Sequence, residues 1–446
     1  MDSPPKKQAG VQPASIRAIV TASAIGTTIE WYDFLIYATA ASLVLNRLFF
    51  PTDDPLVGKL ISISTIGVGF FARPIGAIIS SHFGDRFGRK SPLIVTMVSM
   101  GLATTLIGML PTYSSIGIAA PILLVACRLV QGIAVGGEWG GAVLIVTEHS
   151  PPDRRGFFGS LVQIGFPLGM SLGTASFFAL AYLDDKQFMS WGWRIPFLAS
   201  AALVAIGTFI RLRIDETPDF ERMVQEGKIL RVPLLRAIRN HPKDLLIGLG
   251  ARITEISWIY VLTIFGLSYA VTTLALPRSL VLGAIALGAA VELITIPLFG
   301  HLSDRVGRRP IYLLGCVAAI CLSFPIFWAL ATRDSFMVVL ALVVGMSVGH
   351  GIMYGVQASF LSEMFPSNLR YTGASLGYQI AAPIGGGLVP LAAAAVVELT
   401  HGATWPVSLL MILIALTTVL AVLSARETAP SRTAERLSLP LRKQQA

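Results

Sequence analysis

The chain has 446 residues, of which 54% are hydrophobic and 13% are charged, and its mean hydropathy is +0.71. A soluble protein of this length needs more charge on its surface, so the composition excludes an ordinary soluble protein and indicates an integral membrane protein. The formal net charge of +9 does not indicate nucleic-acid binding, because the basic residues lie at the ends of apolar stretches and form no single patch.

The apolar stretches, taken in chain order, predict an all-α membrane protein with twelve transmembrane helices. Each stretch is close to the ~20 residues that cross a bilayer. The stretches cover approximately residues 17–46, 57–81, 91–111, 116–148, 156–182, 192–213, 244–273, 279–302, 310–331, 336–364, 369–398 and 402–424. A polar tail, residues 1–16, precedes them, and the first apolar stretch is too long for the core of a signal peptide, so we expect no cleavage.

A hydrophilic interruption after the sixth stretch divides the predicted helices six and six. The sequence therefore predicts an N-terminal six-helix bundle, residues 17–213, a cytoplasmic linker, residues 214–243, and a C-terminal six-helix bundle, residues 244–424. A second tail, residues 425–446, follows. Most of the 34 lysine and arginine residues fall in the loops on the side of the two tails, which predicts that both termini are cytoplasmic.

Two repeated motifs indicate that the two bundles arose by duplication. The segment Gly84–Lys90 returns in altered form as Ser303–Arg309, and we call these segments the first and second basic turns. Glu148 and Arg155 recur with the same spacing as Glu363 and Arg370. Both repeats are shifted by nearly half the chain, which indicates a duplicated membrane protein rather than two soluble domains.

Six further segments form a set with a specific order along the chain. They are Glu30–Phe34, Phe71–Gly76, Arg128–Gly132, Gly136–Gly141, Trp191–Phe197 and Tyr371–Ala374. Together with the basic turns, this set resembles the major facilitator superfamily, and within it the metabolite:proton symporter family of shikimate, alpha-ketoglutarate and proline/betaine permeases. Around Arg252–Tyr269, and at His350 and Gln357, the chain looks closest to shikimate-type permeases. The resemblance implies two pseudo-symmetric bundles, alternating access, protons as the coupling ion and no cofactor.

The basic turns and the acidic residues near them are candidate gating residues. A carboxylate at a helix end can hold the N-terminal dipole of a neighbouring helix, and arginines can reach lipid phosphates or nearby glutamates. The candidates are Asp85, Arg86, Arg89, Glu148, Arg155, Asp304, Arg305, Arg308, Glu363 and Arg370. The resemblance implies a conformational latch, whereas a simpler hypothesis makes the arginines topological anchors only.

Three ionisable residues deep in the spans are candidates for proton coupling. Glu30 and Asp33 are three residues apart on one helix, so they share a face and can divide the roles of proton carrier and structural partner. Arg128 lies at a depth in span 4 where it can meet one of them, and the resemblance to sugar porters implies a pair with Asp33. A static buried ion pair that fixes helix register is the alternative interpretation.

The remaining polar residues inside the spans are candidates for substrate binding, because such residues must face protein or a wet cavity. Arg73 and Glu138 are a possible pair, which serves either recognition or a structural salt bridge. Arg252 and Glu255, three residues apart, can neutralise each other. His350 belongs to a polar stripe and acts either as a packing residue or as part of a binding wall. The full set is Arg73, Gln131, Glu138, Gln163, Glu255, His350, Tyr354, Gln357, Tyr378 and Gln379.

The sequence thus favours a monomeric, proton-coupled symporter of a small organic acid in a bacterial-type inner membrane, with membrane lipids and protons as its other partners. The transport alternatives are a zwitterion symporter or a carrier that exports an anion. No HExxH or GxxxxGK[ST] motif points to an enzyme. Cys127, Cys316 and Cys321 form no metal-binding spacing, so we expect no metal site.

Overall fold

The structure is a computed structural model that describes residues 15–51, 55–230 and 232–429, and long helices account for most of these ranges. Most of the two predicted tails, residues 1–14 and 430–446, lies outside the described residues. Two long helical segments come first: α1 covers residues 16–49, and α2 is Pro55–Phe87.

Ten further helices among the described residues are long and apolar enough to cross a membrane. They are α3 (Lys90–Met109), α4 (Ala119–His149), α5 (Pro152–Ala179), α6 (Asp185–Leu212), α7 (Pro242–Thr272), α8 (Arg278–Val306), α9 (Arg308–Ala331), α10 (Ser335–Glu363), α11 (Arg370–Leu399) and α12 (Trp405–Ser424). Every predicted stretch overlaps one of these helices or α1 or α2. That all twelve cross a membrane, with both termini on one side, stays a prediction.

The basic turns differ from the predicted layout. The predicted spans end at residues 81 and 302, but α2 continues to Phe87 and α8 to Val306, so the aspartates lie in the last helical turns. The chain then turns sharply at Gly88 and Gly307, whose φ angles are 109° and 116°. Residues that carry a side chain rarely adopt such positive φ angles, so glycine is favoured at both repeated positions.

Contacts between the two halves run through related helix pairs. Helix α2 packs on α11, and α5 packs on α8 and α10. Within the N-terminal half, α5 lies close along α1, because a Cβ at Gly169 would be only 2.6 Å from the carbonyl oxygen of Thr28. Small residues of this kind allow helix backbones to approach in a bilayer.

Short π-helical segments interrupt several helices at polar positions. One lies in α1, at Ala41–Leu45, and another lies at the related place in α7, Val261–Phe265. A third, Gly345–His350, ends at the predicted histidine of α10. Such segments change the direction in which the following side chains project and are common at functional sites.

Candidate functional site

Aromatic and amide side chains join the two halves at the centre of the molecule. The rings of Trp139 on α4 and Tyr378 on α11 stack with their centroids 3.6 Å apart. The indole nitrogen of Trp139 donates to Gln163 Oε1 over 2.9 Å, and Gln163 Nε2 donates to the Tyr354 carbonyl over 3.4 Å. Gln379 Nε2 donates to the carbonyl of Val135 over 3.3 Å. These predicted residues therefore lie together at the interface between halves.

Arg252 occupies the side of this interface that belongs to the C-terminal half. Its guanidinium carbon lies 3.8 Å from the ring centroid of Tyr378, and it forms an ion pair with Glu255, as the spacing predicts. Arg252 Nη1 also donates to Gln357 Oε1 over 2.9 Å. Gln357 Nε2 in turn donates to the hydroxyl of Tyr312 over 2.9 Å, which links α7, α9 and α10.

His350 lies between two carboxylates. Its Nε2 is 2.7 Å from Glu255 Oε1, and its Nδ1 is 2.5 Å from Glu292 Oε1. The imidazole also stacks on the ring of Tyr354 at 4.7 Å. The sequence prediction omitted Glu292, although a lone carboxylate inside an otherwise apolar stretch is itself a signal of function.

Arg73, on α2, stacks on aromatic rings and not on its predicted partner. Its guanidinium carbon lies 4.6 Å from the ring centroid of Phe70, 5.1 Å from that of Phe34 and 6.0 Å from that of Trp31. The predicted pair with Glu138 is wrong in this structure. Stacking of this kind lowers the cost of a buried cation without removing its charge.

Glu138 pairs instead with Arg211, whose Nη2 is 2.5 Å from Glu138 Oε1. Arg211 lies near the end of the predicted span 192–213, yet its side chain is buried and also donates to the Leu93 carbonyl over 2.8 Å. Gly26 on α1 provides the space, because a Cβ there would collide with the guanidinium of Arg211. The charges of Glu138 and Arg211 also act on Glu30, which is buried nearby.

Asp33 and Arg128 do not meet directly, which corrects the predicted pair. Asp33 Oδ1 accepts a hydrogen bond of 2.7 Å from Ser200, and Oδ2 accepts one of 2.9 Å from Thr104. Gln131 Nε2 donates to Thr104 Oγ1 over 2.6 Å, and Arg128 Nη1 donates to Gln131 Oε1 over 2.9 Å. A chain of hydrogen bonds therefore connects the carboxylate to the guanidinium. Glu30 shares none of these partners, so the two carboxylates belong to separate networks.

Arg128 and Arg73 line the same small cavity, together with Gln131. The guanidinium carbon of Arg128 lies 3.8 Å from the ring centroid of Tyr37. Within the described parts of the chain, neither arginine forms an ion pair with a carboxylate. Two buried cations thus face one cavity with no described carboxylate in direct contact, and the charge of Arg73 acts on Glu30 at longer range.

The second basic turn connects the halves at one end of the molecule. Asp304 Oδ1 accepts from the backbone N–H of Gly156 over 2.8 Å, and Oδ2 accepts from that of Phe157 over 2.9 Å. These groups belong to the first turn of the helix that begins at Arg155, so the carboxylate binds a helix N-terminus of the other half. Arg308 lies 2.6 Å from Asp304 and 3.1 Å from Glu363.

The first basic turn makes the related contact from the N-terminal half. Asp85 Oδ2 accepts from Thr372, from its backbone N–H over 3.0 Å and from its hydroxyl over 2.7 Å. Arg89 lies 3.3 Å from Asp85 and 3.6 Å from Glu148, and its Nη2 donates to the Ser367 carbonyl over 2.9 Å. Both turns therefore hold the N-terminal end of a helix in the opposite half.

The remaining arginines of the predicted gating set divide into two groups. Arg370, in the C-terminal half, forms ion pairs with the N-terminal half and the linker: its Nη1 lies 3.2 Å from Glu148 and 2.9 Å from Asp219. Arg155 stays within its own half and donates to the Thr147 carbonyl over 3.0 Å. Arg86 and Arg305 are exposed and lie outside both clusters, so their gating role stays a prediction.

Comparison with known proteins decides the family. The Major Facilitator Superfamily model matches residues 24–378. The chain belongs to the Major Facilitator Superfamily. It is 41% identical to a shikimate transporter of Escherichia coli (strain K12) over 389 residues, which cover 86% of this chain and 89% of that protein. It is 34% identical to a proline/betaine transporter of Salmonella typhimurium over 434 residues, 94% of this chain and 85% of that protein.

Solved structures of the superfamily show the same fold. The proton:xylose symporter XylE bound to 6-bromo-6-deoxy-D-glucose superposes with a TM-score of 0.75 at 17% sequence identity, covering 93% of this chain and 96% of that one. The family match, the similarity to transporters and the ten apolar helices show that the chain is an integral, multi-pass membrane transporter rather than an enzyme.

Two glutamates that sequence analysis missed complete the basic turns of this superfamily member. Glu216 accepts from the backbone N–H groups of Arg89 and Lys90 over 2.9 and 3.1 Å. Glu427 accepts from those of Arg308 and Arg309 over 2.8 and 3.2 Å. Each carboxylate therefore caps the helix that follows its basic turn. The repeated dipeptide Glu-Thr, at 216–217 and 427–428, was the signal for this pair.

Proposed function

We propose that this transporter is a proton-coupled symporter that takes up a small organic anion, such as shikimate, a dicarboxylate, a 2-oxo acid or an aromatic carboxylate, across an inner membrane. The observation that carries the proposal is the cavity lined by Arg73 and Arg128, two guanidiniums that form no ion pair with a described carboxylate. An unpaired charge is costly in a bilayer, and a substrate carboxylate would provide the missing partner with bidentate geometry. The 41% identity to a shikimate transporter supports the same class of substrate.

Asp33 is the proposed proton carrier of the N-terminal half. As a carboxylate it only accepts hydrogen bonds, here from Ser200 and Thr104, whereas a protonated carboxyl also donates. A proton on Oδ2 of Asp33 turns the Thr104 hydroxyl toward its second acceptor, the Met100 carbonyl, and Gln131 passes this change to Arg128. Substrate binding at Arg128 and proton binding at Asp33 are coupled through this chain, without an ion pair between the two residues.

Alternating access provides the transport step. In the structure the halves are held together at the end that carries the basic turns, through Asp304, Asp85 and Arg370. The excess of basic residues in the loops at this end supports a cytoplasmic location. Opening toward that side breaks these contacts, while the central site around Trp139 and Tyr378 stays near mid-membrane.

The aromatic residues near the cavity disfavour a betaine-like substrate. Trp31, Phe34 and Phe70 are a suitable set for a quaternary ammonium group, but the guanidinium of Arg73 already lies over them. A free ammonium ligand would meet a cation in place of an open ring face. This observation favours an anion over the zwitterion alternative.

Uptake into proteoliposomes tests the proposal. Purified protein is reconstituted, and accumulation of radiolabelled shikimate is measured with and without an inward proton gradient, in competition with succinate, benzoate and betaine. We expect gradient-driven accumulation that other carboxylates inhibit and betaine does not. Accumulation of betaine, or uptake of anions that ignores both the gradient and a protonophore, contradicts the proposed function.

A further inference from the structure

A second group of titratable residues lies in the C-terminal half, away from Asp33. His350 contacts Glu292 through Nδ1 at 2.5 Å and Glu255 through Nε2 at 2.7 Å. The three residues come from α10, α8 and α7, and the side chains are at most 1% exposed. Three helices therefore bring two carboxylates to opposite edges of one imidazole.

The two contacts fix the number of protons that the group holds. At these distances each nitrogen–oxygen contact needs a hydrogen between its two atoms, because a nitrogen lone pair and a carboxylate oxygen repel each other. A neutral imidazole carries a single N–H. The group therefore holds one proton more than a neutral imidazole and two carboxylates contain, whether that proton is on His350 or on a glutamate.

The surroundings make this extra proton costly to remove. With it, the charges of Arg252 and the shared proton balance those of Glu255 and Glu292; without it, one buried negative charge is left unbalanced. Glu292 Oε2 has no hydrogen-bond partner among the described residues. The polar, charged or aromatic groups near the site on neighbouring helices include Glu30, Arg73, Phe166, Arg252, Tyr312, Tyr354, Gln357 and Tyr378. Glu30 and Arg73 act on Tyr378 with opposite charges, and among the described residues Arg252 is the cation that pairs directly with these carboxylates.

The site is placed where the two halves move against each other. The imidazole of His350 lies 5.5 Å from the ring of Phe166 on α5, and Arg252 stacks on Tyr378, which itself stacks on Trp139 of α4. Separation of the halves would open this wall to water. Hydration removes most of the cost of an unbalanced charge, so the proton can leave in the opened state and not in the closed one.

We propose that Glu255, His350 and Glu292 form a second proton site, which binds and releases one proton in each transport cycle. This inference rests on the proposed proton-coupled function and adds a site in the other half of the molecule. No group of three or more His, Cys, Asp or Glu residues within the described ranges has the arrangement of a metal site, so protons are the ligand that fits.

Infrared difference spectroscopy tests proton binding without any substrate. The purified wild type is titrated over pH and compared with Glu292→Gln and His350→Gln, and with Glu398→Gln, which makes the same chemical change at an exposed position of the same half. We expect carboxyl and imidazole bands that titrate in the wild type and the control and are lost in the two site variants. Identical spectra in all four proteins overturn the proposal.

Release of the proton during transport is then tested by the slope of the logarithm of the shikimate accumulation ratio against the pH difference across the membrane. With the membrane potential clamped, each coupled proton gives about a tenfold accumulation of shikimate per pH unit. We expect Glu292→Gln, and independently His350→Gln, to lower this slope by about one proton, with Glu398→Gln unchanged. A raised KM with an unchanged slope indicates substrate binding only and refutes the second proton site. A wild type that ignores the gradient refutes the proposed function, while the infrared titration still decides whether the site binds a proton.

Discussion

Replacement of Asp304 by asparagine tests whether the second basic turn holds the two halves together. The aspartate accepts two charge-assisted hydrogen bonds from the backbone of Gly156 and Phe157. An asparagine amide has one acceptor oxygen, so it keeps one of these bonds in a neutral form that is about 1 kcal/mol weaker and loses the other, which contributes about 2 kcal/mol. Asp304→Asn is therefore expected to weaken the closed state by about 3 kcal/mol, which corresponds to about a 150-fold rise in the population of the opened state.

Thiol labelling measures this population. Ser359 on α10 is buried against α5, and its hydroxyl donates to the carbonyl of Val356 in its own helix. A Ser359→Cys variant, with the three native cysteines replaced by serine, reports opening through its rate of reaction with a maleimide. We expect Asp304→Asn to raise that rate by about the same 150-fold. Substrate turnover should change more than KM.

A matched control separates the contact from general loss of charge. Asp153 lies at the same end of the molecule, and its side chain is 74% exposed. Asp153→Asn should leave both the labelling rate and turnover unchanged. The reasoning is refuted if Asp304→Asn labels no faster than its parent, if Asp153→Asn accelerates labelling equally, or if Asp304→Asn alters KM alone.

Four further substitutions probe other parts of the molecule. Asp33→Asn should abolish accumulation of shikimate in proteoliposomes but permit counterflow exchange; full pH-driven accumulation removes Asp33 from coupling. Arg128→Lys should lower kcat/KM for uptake at least tenfold, because lysine lacks the planar fork, and near-normal uptake argues against a carboxylate contact. Gly169→Val should lower the thermal unfolding temperature, since a Cβ would meet Thr28 at 2.6 Å; an unshifted melting curve contradicts that contact. Glu427→Gln should cost about 1 kcal/mol of stability through the weakened helix cap, measured by thermal unfolding, and an unchanged transition shows that the cap is dispensable.

Hydropathy alone was sufficient to locate the helices, because a bilayer demands apolar stretches of a fixed length. It failed at their ends, where charged residues continue the helix. Asp85 and Asp304 were predicted in loops, yet they occupy the last turns of α2 and α8. Composition cannot distinguish a charged loop from a charged helix end whose carboxylate binds another helix.

Partner choice in the site was less predictable than the residues themselves. Spacing along one helix correctly paired Arg252 with Glu255, since three residues bring side chains to the same face. Pairs between helices were wrong: Arg211 reached Glu138, and hydroxyl groups reached Asp33. Such contacts depend on helix rotation and on small residues such as Gly26, which no linear pattern reports.

The two basic turns are related in sequence but differ in the forces that hold them. At α5 the second turn relies on backbone hydrogen bonds to Asp304, and Gly300 lies so close to α5 that a Cβ would be 2.7 Å from the Gly156 carbonyl oxygen. At α11 the first turn is supported by Arg370, which bridges Glu148 and Asp219.

Asp219 belongs to the linker helix Pro218–Gln225, so the segment that joins the halves also takes part in closing one of their two contacts. Ion pairs near a surface weaken with salt, whereas backbone contacts under packed helices do so much less. The α2–α11 contact should therefore open first as ionic strength rises.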